Sequence, residues 1–545
     1  MVSLRLSSQR GPIMKQNKQQ IYVYDTTLRD GAQGAGVKFS AEDQVQVVKA
    51  LDLLGFHYIE GGQPGSNPKA AELFERVRDL KLENAVIAAF GSTRHPRKTV
   101  EDDPNLKALL DARTRVVTIF AKSSRLHVRE VLGVSLEENL RIVEDSVRYL
   151  TAHKRQVFLD AEHFFDGYFE DAEYALTVLA VALEAGAHSI HLCETNGGRL
   201  PFEVQEATRA VRERFPNAII GIHTHDDTGC AVANTLMAVR EGAVIVQGTM
   251  NGYGERTGNA NLCTIIPNLQ LKMGYAVLPP ERLMRLTRKS HLIAELANMM
   301  PRDFAPYVGR DAFTHKGGMH ADAVRKLKAS YEHIDPTLVG NRTRVTVSEV
   351  SGRSSLIQKA AELGITLEKD HPATRRILSR IKALENDGFE FEGADASLEL
   401  LIRRELDHFT PFFRTISFHA RVNQNGSGGE PVSEATVKVE LPGGIIEHTV
   451  SEGHGPVDAL NNALRKALEK CYPQIAEVRL EDFKVRILDG KLATRAKTRV
   501  LIESCDSEET WSTVGVSENI ISASFMALVD SVEYKLFKAL GKSTL

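Results

Sequence analysis

Eight apolar, strand-like runs alternate with helical patterns from Ile21 to about Leu271. The runs are IYVYDTTLRDG, YIEGG, NAVIAAFG, RVVTIFAKSS, QVFLDAEHFF, SIHLCETNGG, AIIGIHTHDD and AVIVQGTMNGYGE. Between them lie stretches with helical periodicity, among them AEDQVQVVKALDLLG and LEENLRIVEDSVRYLTAH. Strands that alternate with helices pair in parallel through crossovers. Eight such units in about 250 residues match the size and count of a closed (β/α)8 TIM barrel. A doubly wound sheet would usually use fewer strands, and no G-x-G-x-x-G follows the first run. The polar residues of these runs gather at their C-terminal ends: Arg29, Asp30, Glu60, Glu162, Glu194, Thr195, His223 and His225 all follow an apolar strand start. Barrel enzymes place their chemistry on that face, and a buried strand has little other use for so many ionisable groups.

The chain has 545 residues, too many for one ordinary core. The expected organisation is a tail over 1–20, a TIM-barrel catalytic domain over 21–280, helical linker subdomains over 281–404 and a C-terminal α+β domain over 405–545. The tail is basic and free of acids. It reads as disordered in preference to a transit peptide, with Met14 as an alternative start. A helical pattern dominates 280–400, which also carries the loop HKGGMHADAV at 315–324. From 412 onward short alternating strands such as ATVKVEL and TRVLIES take over. The segments 451–468 and 512–529 each run from a strand through a Gly turn into an amphipathic helix, which predicts internal pseudo-symmetry. Two readings of this domain stay open. One is a dimerisation module; the other is a regulatory domain whose helix N-termini bind a small carboxylate.

Net charge is −3, so neither nucleic acid nor an anionic membrane is an expected partner. No apolar run approaches the roughly 18 residues of a membrane helix. Cys193, Cys230, Cys263, Cys471 and Cys505 are odd in number and form no C-x-x-C pair. That fits reduced thiols in a cytoplasmic protein.

His223 and His225 form an H-x-H near the end of the seventh run. On a strand, positions i and i+2 share a face, so both imidazoles can meet one ion. An H-x-H alone is a weak signal. It gains weight because Asp30 ends the first run, and strands 1 and 7 of a closed eight-stranded barrel are near neighbours across strand 8. A carboxylate and two imidazoles make an open catalytic site. The absence of thiolate leaves Mg²⁺, Mn²⁺ and Zn²⁺ open.

DTTLRDGAQ at 25–33, HTHDDTG at 223–229 and NGYGERTGNANL at 251–262 resemble the signature blocks of the Asp-Arg-Glu TIM-barrel metallolyases. That family includes 2-isopropylmalate, homocitrate and citramalate synthases and 3-hydroxy-3-methylglutaryl-CoA lyase. The resemblance runs from Tyr22 through the C-terminal domain. It implies metal ligation by Asp30, His223, His225 and Asn259, and a Claisen condensation of acetyl-CoA with a 2-keto acid followed by thioester hydrolysis. By the same resemblance Arg29 is the catalytic arginine, and Glu162 holds Arg29 or a substrate group. An ion pair of Arg29 with Glu162 or Glu60 is compatible with that role. Thr195 matches a threonine that binds the keto-acid carboxylate, although Glu194 stands where the family usually has Asp. His320 matches a histidine brought from beyond the barrel as the base, with Tyr331 assisting and His315 as a rival. Such an assembly implies a homodimer whose partner subunit supplies that histidine.

GGQPGSNPKA at 61–70, QGTMNGYGERTGNANLC at 247–263 and YEHIDPTLVGNRTRVTVSEVSGRS at 331–354 look closer to the citramalate synthases than to the isopropylmalate synthases. This implies pyruvate as the acceptor, a place in isoleucine synthesis, and a branched-chain amino acid effector, isoleucine, on the C-terminal domain. The alternatives are an isopropylmalate synthase acting on 2-ketoisovalerate, an acyl-CoA lyase, and a non-catalytic metabolite sensor. The long C-terminal domain argues against a lyase, and a complete ligand set argues against a sensor.

Overall fold

The structure is a computed structural model. It describes residues 19–541 apart from 67, 316–319, 321–322, 325, 346–352, 369–370, 392, 407–408, 424–431, 489–495 and 507–508. The expected tail (save residues 19 and 20), the alternative start at Met14 and the GGM of the 315–324 loop therefore lie outside the described residues.

Eight parallel strands close into a barrel in chain order. They are β1 (Tyr22–Asp25), β2 (Tyr58–Glu60), β3 (Val86–Ser92), β4 (Val116–Lys122), β5 (Gln156–Glu162), β6 (Ser189–Glu194), β7 (Ile220–Thr224) and β8 (Ile245–Gly248). Seven fall inside the predicted runs, and β3 extends one residue past its run, to Ser92. Closure comes from β1 pairing with β8, Tyr22 with Ile245 through Asp25 with Gly248. Helices alternate with the strands as the periodicity predicts. The first, Ala41–Leu54, opens on a capping box in which the Ser40 hydroxyl accepts from Asp43 N–H and the Asp43 carboxylate accepts from Ser40 N–H. It ends at Gly55, whose φ of 89° is left-handed, a conformation open to glycine without strain. Leu51, Leu54, Ile190, Ile222 and Val246 are fully buried between strands and helices, where apolar burial supplies most of the stabilisation.

Inside the barrel the filling is unusually polar. Tyr24, Glu60, Thr118, Asp160, His191 and Gln247 are all 3% exposed or less. They stand on six different strands, and buried polar groups of this kind persist only when hydrogen-bonded.

The chain divides into two compact units. One comprises residues 1–313 with 333–342; the other comprises 314–332 with 343–545. The second unit holds the helices Arg353–Glu362, Pro372–Asn386 and Asp395–Glu405 and two antiparallel three-stranded sheets. The sheets are built from Arg414–Asn423, Val432–Leu441 and Ile445–Gly453, and from Arg479–Ile487, Thr498–Cys505 and Thr510–Ser517. Each third strand leads into a helix, Pro456–Leu468 or Ile520–Leu540. This is the predicted α+β repeat, and one contact recurs in both copies. The Thr449 hydroxyl donates to the Ala463 carbonyl at 2.7 Å, and the Thr513 hydroxyl donates to the Ala527 carbonyl at 2.8 Å, 14 residues apart each time. Gly515 allows the second helix to lie close, since a Cβ there would run into the Ala523 carbonyl.

Candidate metal centre at the barrel mouth

The turn after β1 is shaped by Asp25. Its carboxylate accepts from Thr27 N–H at 3.0 Å and from the Thr27 hydroxyl at 2.8 Å. Thr27 Oγ1 in turn accepts from Met250 N–H at 2.9 Å. This tight loop delivers Arg29 and Asp30 to the C-terminal mouth. Burial pushes the Asp25 carboxyl up to about 7 against those hydrogen bonds.

Asp30 meets the seventh strand there. Its Oδ2 lies 3.2 Å from His223 Nε2 and 3.6 Å from His225 Nε2. The two Nε2 atoms are 3.1 Å apart, and all three residues offer ligand atoms within 4.8 Å of one another. His225 pairs with Asn259 in an isolated antiparallel bridge. Asn259 donates through Nδ2 to the Tyr253 carbonyl at 3.3 Å, while its Oδ1 is buried without a hydrogen-bond partner. Three of the sequence-predicted ligands therefore cluster, and the fourth is tied to them by its backbone.

The hydrogen bonds on the far side of each imidazole decide what faces the cluster. His225 Nδ1 lies between an acceptor, the Thr195 carbonyl at 2.7 Å, and a donor, Arg256 Nη2 at 2.9 Å. Arg256 Nη2 donates to the same carbonyl at 2.9 Å and is anchored by Asp227. His223 Nδ1 is 2.6 Å from Gln247 Oε1, again an acceptor. With its proton on Nδ1, the neutral His223 ring presents an Nε2 lone pair toward His225 Nε2 and the Asp30 carboxylate. The Asp30 carboxylate and the two Nε2 atoms crowd together in a way that a proton or a cation among them relieves, and Asn259 Oδ1 is buried without a hydrogen-bond partner. The donor set, two imidazole nitrogens with oxygens and no thiolate, fits a divalent ion with open positions.

Electrostatics agree with the geometry. Burial disfavours charge on Asp30, but the Arg29 guanidinium and the two imidazoles outweigh it and hold the carboxyl well below the usual range. Burial also opposes protonation of His223, yet its hydrogen bond to Asp30 raises its pKa. A proton and a metal thus compete for the same Nε2.

Arg29 is held by Glu60. Its Nε donates to Glu60 Oε2 at 2.7 Å, Nη1 lies 3.2 Å from Asp30, and the guanidinium sits 3.9 Å above the Phe90 ring. Glu60 is wholly buried and also accepts from the Tyr24 hydroxyl at 3.0 Å. Of the two carboxylates the sequence left open as its partner, Arg29 takes Glu60. Glu162 is ion-paired with Lys122 instead, because β4 and β5 place Lys122 and Glu162 in direct register. Thr195 accepts at its hydroxyl oxygen from His163 N–H at 2.8 Å. Glu194 is 1% exposed, and its Oε1 accepts from Gly198 N–H at 3.0 Å.

His320 and Tyr331 belong to the second unit, where both are exposed and their rings stack at 4.3 Å. His315 lies in that unit too, its Nε2 3.4 Å from the buried Glu332. Sequence reasoning missed Gln247, Asp160, Lys122 and Arg256. Gln247 and Asp160 carried a readable signal, being polar residues inside apolar runs (IVQG, FLDA). Lys122 follows an apolar strand start in RVVTIFAKSS, and Arg256 lies in the block NGYGERTGNANL.

Residues 20–293 match the HMGL-like family model, and residues 307–388 match the homocitrate synthase post-HMGL domain-like model. Residues 392–536 match the LeuA allosteric (dimerisation) domain. The (R)-citramalate synthase of Aquifex aeolicus is 51% identical over 521 residues, covering 95% of this chain and 98% of that protein. The (R)-citramalate synthase of Geobacter sulfurreducens is 52% identical over 519 residues, with the same two coverages. The chain belongs to the citramalate synthase family. A 2-isopropylmalate synthase of Methanocaldococcus jannaschii is 29% identical over 521 residues, 95% of each chain. Citramalate synthases at 47–52% identity thus stand well apart from the isopropylmalate synthases. The metal centre, the Arg29–Glu60 pair and Thr195 all lie inside the HMGL-like match of this citramalate synthase family member.

Proposed function

We propose that this chain joins the methyl carbon of acetyl-CoA to the ketone carbon of pyruvate and hydrolyses the thioester, giving citramalate and CoA. The observation that carries the reading is the convergence of Asp30, His223 Nε2 and His225 Nε2 at the mouth of a barrel whose full-length relatives at 47–52% identity are citramalate synthases.

Asp30, His223, His225 and Asn259 would hold a divalent ion, Mg²⁺, Mn²⁺ or Zn²⁺. When bound, that ion supplies Lewis acidity to the keto oxygen of the 2-keto acid. Arg29, fixed by Glu60 and Phe90, directs positive charge at the oxygen that becomes negative as the carbon–carbon bond forms. The hydroxyl of Thr195 accepts from His163 N–H, so its own proton stays available to the pyruvate carboxylate. Glu162, ion-paired with Lys122, offers a carboxylate to a substrate hydroxyl or to the hydrolytic water. His320, with Tyr331 stacked on it, takes the proton from the acetyl methyl group. The enolate carbon then attacks the ketone, and the resulting oxyanion is protonated. Water cleaves the C–S bond, and CoA leaves as the thiol.

The LeuA-type match over 392–536 supports a homodimer and a branched-chain amino acid effector, which we assign as isoleucine. Among the described residues no helix is long and apolar enough to cross a membrane, and the five cysteines are free. Both fit a cytoplasmic enzyme.

A thiol-release screen tests the substrate. Acetyl-CoA is offered with pyruvate, 2-ketoisovalerate, 2-ketobutyrate and 2-ketoglutarate. Pyruvate is expected to be clearly best. Release that favours 2-ketoisovalerate would reassign the chain to isopropylmalate synthesis.

A further inference from the structure

His223 makes its second hydrogen bond to Gln247, deep in the barrel and away from solvent. Both are buried, Gln247 completely so. A primary amide is ambiguous at such a position. With its oxygen toward His223 Nδ1 it accepts, the ring holds its proton on Nδ1, and Nε2 is bare. With its nitrogen toward His223 it donates, the proton moves to Nε2, and the ring can no longer ligate a cation.

The Asp160 carboxylate, which can only accept, sets the orientation of the amide. Gln247 Nε2 lies 2.9 Å from Asp160 Oδ1 and also contacts His191 Nδ1. Reversal would set the amide oxygen against the Asp160 carboxylate, two acceptors face to face in a dry interior. Asp160 is itself fixed. It pairs in register with His191 across β5 and β6, and His191 Nδ1 sits 3.1 Å from it. His191 Nε2 is satisfied by the Ser189 hydroxyl at 2.9 Å. The ring has room only because its register partner on β7 is Gly221, where a Cβ would fall 2.5 Å from His191 Cδ2.

We propose that Gln247 is a positioning residue for the metal centre: locked by Asp160, its amide oxygen fixes His223 in the tautomer that leaves Nε2 free to bind the ion. The inference rests on the metal-site reading above. Orienting partners of a metal-ligating histidine affect metal affinity by about 10–100-fold.

The test is Mn²⁺ affinity of the full-length, chelator-stripped protein, measured by calorimetry alongside the melting temperature of the metal-free form. Gln247→Met keeps the length of the side chain and removes the acceptor; it is expected to weaken Mn²⁺ binding about 10–100-fold. The double variant Asp160→Asn with Gln247→Glu reverses the polarity of the pair but still offers His223 an acceptor. It is expected to bind Mn²⁺ within about threefold of the parent. Mn²⁺ affinity unchanged in Gln247→Met, or lost equally in the double variant, would overturn the proposal in favour of a packing role. Should Gln247→Met not fold, Gln247→Asn withdraws the oxygen by one methylene, and an unchanged affinity there overturns it as well. Asp30→Ala separates the two readings. If it abolishes Mn²⁺ binding while Gln247→Met does not, the site stands and this inference falls. If Asp30→Ala still binds Mn²⁺ as the parent does, the site reading itself is wrong.

Discussion

Arg29 shows how one side chain can be held for catalysis without being consumed by its own ion pair. Its Nε goes to Glu60 and its Nη1 approaches Asp30, so the two carboxylates take two different nitrogens of the guanidinium. A lysine has a single nitrogen and cannot serve Glu60 and Asp30 while still presenting charge outward. Arg29→Lys is therefore expected to lower kcat/KM about 100-fold or more with the far-UV circular dichroism spectrum unchanged. A variant within tenfold of the parent would show that the guanidinium geometry is dispensable. The same carboxylate arrangement marks where the sequence falls short. Glu60 and Glu162 both end barrel strands, and nothing in the linear pattern says which one Arg29 meets. The register of β4 with β5 gives Glu162 to Lys122, and the tight Asp25–Thr27 turn aims Arg29 at Glu60.

At the scale of elements, the barrel strands were legible because each carries an apolar run of the right length, and the helices because their periodicity is intact. Asp30, His223 and His225 were legible because strand ends and the i, i+2 rule fix their faces. The polar filling of the barrel was not. Asp160, His191 and Gln247 break apolar runs in mid-strand, and only the closed cylinder brings β5, β6 and β8 to a common centre. The C-terminal helix Ile520–Leu540 carries a comparable hidden polar group. Glu533 is 1% exposed, and its two oxygens accept from Phe412 N–H at 3.2 Å. Burial, opposed by those backbone donors and Arg404, pushes its carboxyl from 4.5 up to about 8. An unfolded chain gives up this proton near 4.5 and the folded one keeps it until about 8. The folded state thus loses stability as pH rises through that window. Glu533→Gln keeps the acceptor for Phe412 and removes the titration. It should be more stable than the parent at pH 8.5 by roughly 1–3 kcal/mol, the gain shrinking toward pH 5. Denaturant melts at the two pH values measure this, and a gain independent of pH would contradict it.

For the whole molecule, the division of labour follows the two compact units. The first contains the complete barrel and the metal centre. The second contains the duplicated sheet-and-helix repeat, together with His320 and Tyr331. The match of 392–536 to the LeuA allosteric (dimerisation) domain makes this unit the place to test for an effector. Isoleucine is expected to slow CoA release by the full-length protein at saturating substrate, with valine and leucine weaker. Identical inhibition by all three, or none by any, would remove isoleucine as the effector.

Catalysis at the barrel mouth would require a single divalent ion between Asp30, His223 and His225, and titration of the chelator-stripped protein with Mn²⁺ measures this most directly. Free Mn²⁺ is followed by its paramagnetic resonance signal, and thiol release from acetyl-CoA and pyruvate is assayed on the same samples. One ion per chain should bind, activity should rise in step with occupancy, and both should vanish in His225→Gln with the fold intact. Turnover in the metal-free protein, or full binding and activity in His225→Gln, would contradict it.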